Sequence, residues 1–236
     1  MSVRDLETAA VSLRATARRL EGAQEGAASR AAVLIERCLA ASALAALSAP
    51  LACALLVVRV LSRRPPLVAH RRVGFNGEML WVLKIRTMWD RTRNEKRAAA
   101  KKGPSRWIEY LPDAEAPVIK RGPDPRVTSR FARFCRRFSI DELPQLAHVA
   151  SGKMRFAGPR PLTQIELEVH YREAAEEILS VRPGITGLWQ VMGRNNLTYP
   201  QRRRLDRFFV RRLNWRLYWW VLLRTPGCVI SGRGVW

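Results

Sequence analysis

From Cys38 to Val58 the chain runs 21 residues without a charge, closed by Arg37 on one side and Arg59 on the other. A helix needs about 20 apolar residues to cross a bilayer core, so length alone permits a span. Pro50 sits inside the run, two residues after Ser48. A proline there removes a backbone hydrogen bond and kinks a helix, and a serine hydroxyl can take up a freed carbonyl. Arg18, Arg19, Arg30 and Arg37 precede the run, and Arg59, Arg63, Arg64, Arg71 and Arg72 follow it. Positive charge keeps a flank on the cytoplasmic side, and here it acts on both flanks. A re-entrant helix–break–helix that returns to the side it entered satisfies both, with Ser48 and Pro50 at the membrane bend. A straight span and a buried helix of a soluble protein are the two alternatives.

The charge balance narrows the partners. The chain has 42 Lys+Arg against 20 Asp+Glu, a formal charge of +22. A surface of that sign attracts polyanions or an anionic membrane face. Cys38, Cys53, Cys135 and Cys228 form no Cys-x-x-Cys pair, and His70, His148 and His170 are scattered. Neither a zinc site nor a disulfide framework is expected, and a reducing compartment fits. The phosphate loops of P-loop enzymes, the dinucleotide-binding glycine fingerprint and the Gly-x-Ser-x-Gly elbow are absent from the sequence.

Residues 1–35 read as a polar, Ala-rich amphipathic extension, residues 36–62 as the membrane helix, and residues 63–236 as a cytoplasmic catalytic domain. Pro65-Pro66 stops the apolar helix. Leu67–Arg72 and Met79–Arg86 are extended candidates around Gly74-Phe75-Asn76-Gly77, whose Asn-Gly pair predicts a hairpin turn. Residues 90–123 read as a charged loop with little regular structure. Residues 126–150 look helical, and Gln164–Leu179 is a helix candidate. Eight arginines between Arg202 and Arg224 interleave with Phe208, Phe209, Trp215, Tyr218, Trp219 and Trp220. That pattern suits an in-plane interfacial helix on anionic lipid. It also suits a stack on single-stranded nucleic acid, or a core helix with a solvated basic face. The fold expected is α+β and mostly helical: a monotopic membrane protein with a re-entrant helix pair, a small β-hairpin and interfacial amphipathic helices.

Four segments could carry chemistry. Ser139-Ile140-Asp141-Glu142-Leu143-Pro144 places adjacent carboxylates after Arg136-Arg137. Such carboxylates can divide into nucleophile and base, and together can hold Mg²⁺. The same residues read as a helix start, either a capping box from Ser139 or a cap at Asp141 that puts Pro144 in the first turn. In Gly158-Pro159-Arg160-Pro161 two prolines stiffen the backbone around one guanidinium, which suits phosphate recognition. Lys84 and Arg86 fall on one face of the second strand. Gly184 to Arg194 carries Trp189, Gln190 and Arg194, a platform, an amide and a cation that could hold a base or sugar, or form only a buried turn.

With these strings in view the chain resembles the monotopic bacterial sugar transferases, the phosphoglycosyl transferases that prime surface polysaccharide assembly. The matching residues are Lys84-Ile85-Arg86-Thr87-Met88, Asp124-Pro125-Arg126-Val127-Thr128, Ser139 to Leu146, Gly158 to Leu162, Arg182 to Gly187 and Gly193-Arg194-Asn195, in the family's order from about Glu36 to Trp236. The resemblance implies transfer of a sugar 1-phosphate from a UDP-sugar to undecaprenyl phosphate, with UMP leaving and Mg²⁺ as cofactor. It implies Asp141 as nucleophile through an aspartyl phosphosugar intermediate and Glu142 as base or Mg²⁺ neighbour. Lys84, Arg86, Arg126 and Arg160 become phosphate ligands. It places the protein on the cytoplasmic face of the bacterial inner membrane, against anionic lipids, without nucleic acid, and leaves a homo-oligomer open. Gly152-Lys153-Met154-Arg155 stands where the family usually has Gly-Asp-Met-Ser, and Tyr218 or Trp219 stands near a usual aspartate. A weakly active or non-catalytic membrane homologue is one alternative. A basic nucleic-acid-binding protein is the other, though such a protein has no need of the run Cys38–Val58.

Overall fold

The computed structural model describes residues 30–88, 107–111, 127 and 129–232. The amphipathic extension, apart from its last residues, therefore lies outside the described residues, as does Arg126. The apolar run forms two helices, α1 (Arg30–Ala46) and α2 (Ser48–Ser62). They meet at 59°. Pro50 has no N–H to give to the Ala46 carbonyl, and the Ser48 hydroxyl donates to the Ala45 carbonyl at 2.7 Å. The helices have 17 and 15 residues, about 25 and 22 Å at the α-helical rise, and each falls short of a bilayer core of about 30 Å. Among the described residues no single helix is long and apolar enough to cross a membrane, while this one bent pair passes by length and composition together. Leu34, Ile35, Leu39, Leu56, Val57, Val60 and Leu61 are exposed on the pair.

Both ends of the pair join one body. On α1, Ala40 is buried against Leu80, Val82, Val149 and Met154. The carboxylate of Glu36 pairs with both sides of the Arg155 guanidinium, the longer bond being 3.1 Å. Arg37 Nε donates to the Ala150 carbonyl at 3.0 Å. Arg63 ends α2 in the left-handed conformation, with its N–H on the Arg59 carbonyl, and Pro65-Pro66 then leads into the sheet.

The expected hairpin is present. β1 (Leu67–Val73) and β2 (Met79–Ile85) pair antiparallel, with Leu67 opposite Ile85 and Val73 opposite Met79. Asn76 and Gly77 take positive φ at the turn, which Asn and Gly tolerate best. Inside the segment read as a loop lies a third strand, β3 (Ile108–Leu111), parallel to β1. It was invisible as a pattern because four residues flanked by charge and proline give no alternation to count. The sheet order is β2-β1-β3.

The expected helix over 126–150 is broken. α3 (Arg130–Arg137) is capped by the Ser129 hydroxyl. Ser139 then turns left-handed at φ 55°, a tight 3₁₀ turn spans Ile140–Gln145 with Pro144 inside it, and α4 (Leu146–Ala150) follows. No side-chain cap forms at Ser139, and Asp141 lies inside the 3₁₀ turn while the next helix starts after Gln145, so neither capping reading of the Asp141 segment holds. The Gln164–Leu179 candidate is likewise interrupted. α5 (Gln164–Glu166) starts from a capping box on Thr163, a π turn at Leu167–Tyr171 and a 3₁₀ turn at Arg172–Ala174 follow, and α6 (Ala175–Leu179) closes the segment.

β4 (Arg155–Ala157) and β5 (Gly184–Thr186) form a small parallel pair. A Cβ added at Gly184 would lie 2.1 Å from the Gly158 backbone nitrogen, so only glycine permits that approach. α7 (Leu188–Met192) and a 3₁₀ turn at Arg194–Asn196 lead to α8 (Tyr199–Arg211) and α9 (Trp215–Ser231). The arginine–aromatic stretch is thus two helices, separated at Arg212-Leu213-Asn214, with the Asn214 side chain capping α9. Their inner faces bury Phe209 and Val221 in a core with Ala157 and Leu188, while Phe208, Trp215, Trp219 and Leu223 stay exposed.

Candidate active site

The 3₁₀ turn carries Asp141 and Glu142 against the hairpin. Glu142 N–H bonds the Ser139 carbonyl at 3.1 Å, and the left-handed Ser139 sets the direction of the turn. From β2, Lys84 Nζ reaches Glu142 Oε1 at 2.6 Å. From the loop after β4, Arg160 Nη1 reaches the same oxygen at 3.5 Å. That loop is held by backbone bonds from Gly158 to Thr186 O (2.9 Å), from Gly184 to Pro159 O (2.9 Å) and from Val73 to Leu162 O (2.8 Å). Three distant stretches of sequence therefore converge on one carboxylate.

The two acids differ in environment. Burial pushes the Asp141 carboxyl up to about 6, against the pull of Lys84, with the neighbouring Glu142 charge adding to the rise. Burial works the same way on Glu142, but Lys84 and Arg160 overcome it and hold that carboxylate well below its usual range. Burial also lowers Lys84, with Glu142 opposing the shift. Glu142 is thus a fixed anion between two cations, and Asp141 is a more basic carboxylate beside it. Asp141 could attack an electrophilic phosphorus, with Lys84 and Arg160 facing the charge on its oxygens.

Arg86, two residues after Lys84 and just past the end of β2, has different partners. It is only 4% exposed. Its guanidinium pairs with Glu109 on β3, and its Nε donates to the Pro65 carbonyl at 2.7 Å. Arg86 therefore ties the missed third strand to the hairpin and is not gathered onto Glu142.

Two further side chains belong to the neighbourhood and carried no sequence signal of their own. His70 lies on β1 opposite Val82, on the Lys84 face. Burial, then Arg72, Lys84, Arg160 and Arg86 around it, hold its imidazole down to about 3, so it is neutral among cations. Only the β1–β2 register, which the Asn-Gly turn anchors, could have pointed to it. Arg202 on α8 stacks over Trp189 at 4.6 Å and Tyr199 at 5.2 Å, within electrostatic reach of Arg160.

Of the residues expected to hold a base or sugar, Gln190 and Arg194 line a cavity of about 100 Å³ whose wall includes Glu142. Trp189 is buried behind them, under Arg202, and is not part of that wall. A larger, open groove of about 440 Å³ follows α8 between Arg203, Arg204, Arg207, Arg211 and Arg212. It shares no lining residue with the cavity at the dyad. Among the described residues no three His, Cys, Asp or Glu side chains gather as a metal cluster.

A family model described as bacterial sugar transferase matches residues 28–232. The exopolysaccharide production protein ExoY of Sinorhizobium fredii is 38% identical over 167 residues, 70% of this chain and 70% of that protein. The UDP-galactose-lipid carrier transferase of Erwinia amylovora is 36% identical over 175 residues, 72% of this chain. The undecaprenyl-phosphate galactose phosphotransferase of Salmonella typhimurium is 35% identical over 176 residues, 73% of this chain. The match covers only 34% and 35% of those two longer relatives. With most of its length under one family model, and with Asp141, Glu142, Lys84 and Arg160 brought together by its fold, the chain belongs to the bacterial sugar transferase family.

Proposed function

We propose that the protein transfers a sugar 1-phosphate from a UDP-sugar to undecaprenyl phosphate and so primes assembly of a surface glycan. The carrying observation is the pairing of Lys84 and Arg160 on Glu142 beside a more basic Asp141. An Asp141 carboxylate oxygen attacks the sugar-side phosphorus. The bond from that phosphorus to the bridging oxygen breaks, and UMP leaves with the electron pair. The phosphosugar is then held on Asp141 as an acyl phosphate. An oxygen of undecaprenyl phosphate attacks the same phosphorus, the bond to Asp141 breaks, and the lipid diphosphate sugar leaves with the carboxylate restored. Lys84 and Arg160 offset the repulsion between two anionic substrates. The relatives named for galactose transfer to a lipid carrier support this reading.

Mg²⁺ is bound through one or two carboxylates completed by substrate phosphates. The dyad fits that pattern, since Lys84 and Arg160 both fall on Oε1 of Glu142. Asp141 and Glu142 would hold the ion, which when bound neutralises diphosphate charge.

The membrane reading is part of the same proposal. Glu36 and Ala40 fasten α1 to the catalytic body, and α2 runs directly into β1. One body cannot lie on both sides of a bilayer, which supports a re-entrant pair on the cytoplasmic face of the inner membrane. The basic groove along α8 and the exposed aromatics of α9 suit anionic headgroups.

The test is release of UMP from UDP-galactose or UDP-glucose with undecaprenyl phosphate and Mg²⁺. Without the lipid, one phosphosugar mass should appear on a peptide containing Asp141. An active Asp141→Asn enzyme would remove the covalent route.

A further inference from the structure

β2 lies at the edge of its sheet, in the order β2-β1-β3. The Arg86 N–H bonds the Pro66 carbonyl and the Gly74 N–H bonds the Glu78 carbonyl, each at 2.8 Å. With the β1–β2 register, those bonds turn the backbone groups of Leu80, Val82 and Lys84 towards β1 and those of Trp81 and Leu83 outwards. An outward N–H on an edge strand needs a partner of its own. Leu83 finds one in a side chain: its N–H donates to His148 Nε2 at 3.2 Å. His148 is half-buried on α4, six residues after Glu142. Its own carbonyl takes the Lys153 N–H at 2.9 Å and the Met154 N–H at 3.1 Å, and the neighbouring Val149 is buried against Leu80 and Val82. The ring therefore stands on a fixed backbone. Two links join the same two stretches of chain, Leu83 to His148 and Lys84 to Glu142, the second at 2.6 Å. The four-carbon stem of a lysine is flexible, so where the Lys84 ammonium falls depends on where β2 lies against the turn that carries the dyad.

Resting on the transfer reaction above, we infer that His148 is a positioning residue for that reaction: by accepting the Leu83 N–H, its imidazole fixes β2 against the 3₁₀ turn and so places Lys84 on Glu142. Only a neutral ring with its proton on Nδ1 can accept at Nε2. The surroundings keep it in that form. Burial and then Lys153 hold the imidazole below its usual range, against the Trp81 carbonyl, which favours the charged ring. His148 acts through Leu83 and Lys84 rather than on substrate. The bond also covers the free edge of β2 at the one residue that precedes Lys84, so loss of the acceptor frees the strand where the site needs it still.

The experiment uses the full chain in detergent with Mg²⁺, UDP-galactose or UDP-glucose, and undecaprenyl phosphate. His148→Gln keeps an acceptor at similar reach, whereas His148→Phe keeps a ring and loses the acceptor. The Phe variant should lose roughly ten- to a hundredfold in kcat, the scale of a misplaced catalytic group, with KM changed far less. The Gln variant should recover most of that loss. Two readings on the protein need no turnover. The Leu83 amide should be protected from hydrogen exchange in the wild type and in the Gln variant, and should exchange at least about tenfold faster in the Phe variant, where its bond is gone. The ¹⁵N shifts of the wild-type His148 ring should report a proton on Nδ1 and a bare Nε2. Equal kcat in the wild type and the Phe variant, or equal losses in the Gln and Phe variants, would overturn the inference while wild-type turnover left the transfer reaction standing. A wild-type Leu83 amide that exchanges freely, or a His148 proton on Nε2, would overturn it as well, and both can be read even where the Phe variant does not fold. No UMP released by the wild type from any UDP-sugar would instead overturn the transfer reaction, whatever the Leu83 amide does.

Discussion

Asp141 and Glu142 are neighbours in the chain, but among the described residues Lys84 and Arg160 pair with Glu142. Burial leaves Asp141 raised to about 6. In the proposed route Asp141 attacks as the carboxylate, so that form is lost as pH falls through that value. Turnover should therefore drop below about pH 6, approaching tenfold per pH unit, in a profile of kcat/KM. A flat profile between pH 5 and 7 would separate the rate from this carboxylate. Asp141→Asn should be inactive but folded, since the Asp141 side chain caps no helix. Arg160 and Arg86 should part company. Arg160, 31% exposed beside Glu142, should lose about 2–4 kcal/mol of transition-state stabilisation on replacement by Ala, a size known for a single oxyanion donor. Its melting temperature should barely move. Arg86→Ala instead leaves Glu109 buried without its guanidinium, and breaking such a pair costs about 3–5 kcal/mol of stability. The sequence could show Lys84 and Arg86 on one face, but not that β3 would supply a carboxylate to the second of them.

The elements that were legible in the sequence are those with local determinants. Asn76-Gly77 specifies the hairpin and its register. Pro50 with Ser48 specifies the bend between α1 and α2. The elements missed depend on distant partners. β3 exists because β1 offers an edge. The turn at Asp141 is 3₁₀ because Ser139 turns left-handed against the rest of the fold. Gln164–Leu179 fails as one helix because Tyr171 is drawn inward, where its hydroxyl donates to Asp206 Oδ2 at 2.7 Å. That pair gives α8 a testable property. Asp206 is fully buried, and burial pushes its carboxyl up to about 7. A native carboxyl raised above its unfolded value stabilises fully below the unfolded pKa, and that contribution is lost as pH rises through about 7. The wild type should melt lower at pH 8 than at pH 5 by this mechanism. In Asp206→Asn, which does not titrate, the gap between the two melting temperatures should shrink. An equal gap in both proteins would show that Asp206 does not set it.

At the scale of the whole molecule, the apolar pair and the catalytic body are one mechanical unit. Arg155 and Tyr218 meet around Glu36. The Arg155 guanidinium lies 5.4 Å from the Tyr218 ring, and the Tyr218 hydroxyl accepts from the Ala157 N–H at 3.2 Å. These contacts join α1 to β4 and α9, and so knit the apolar helix pair to the body that carries Arg160. Arg30 and Arg64 bracket the pair, and both should face the cytoplasm. The measurement is maleimide labelling of Arg30→Cys and Arg64→Cys, each in a background with Cys38, Cys53, Cys135 and Cys228 replaced by Ala. An impermeant reagent should reach both positions in inverted vesicles and neither in right-side-out ones. Labelling from opposite faces would make the pair a span. Pro50→Leu restores the donor for Ala46, yet alone it should leave both labels in place, because Glu36 still holds α1 to Arg155. Adding Arg155→Ala releases that hold, and only the double variant should move the label at position 30 towards the far face.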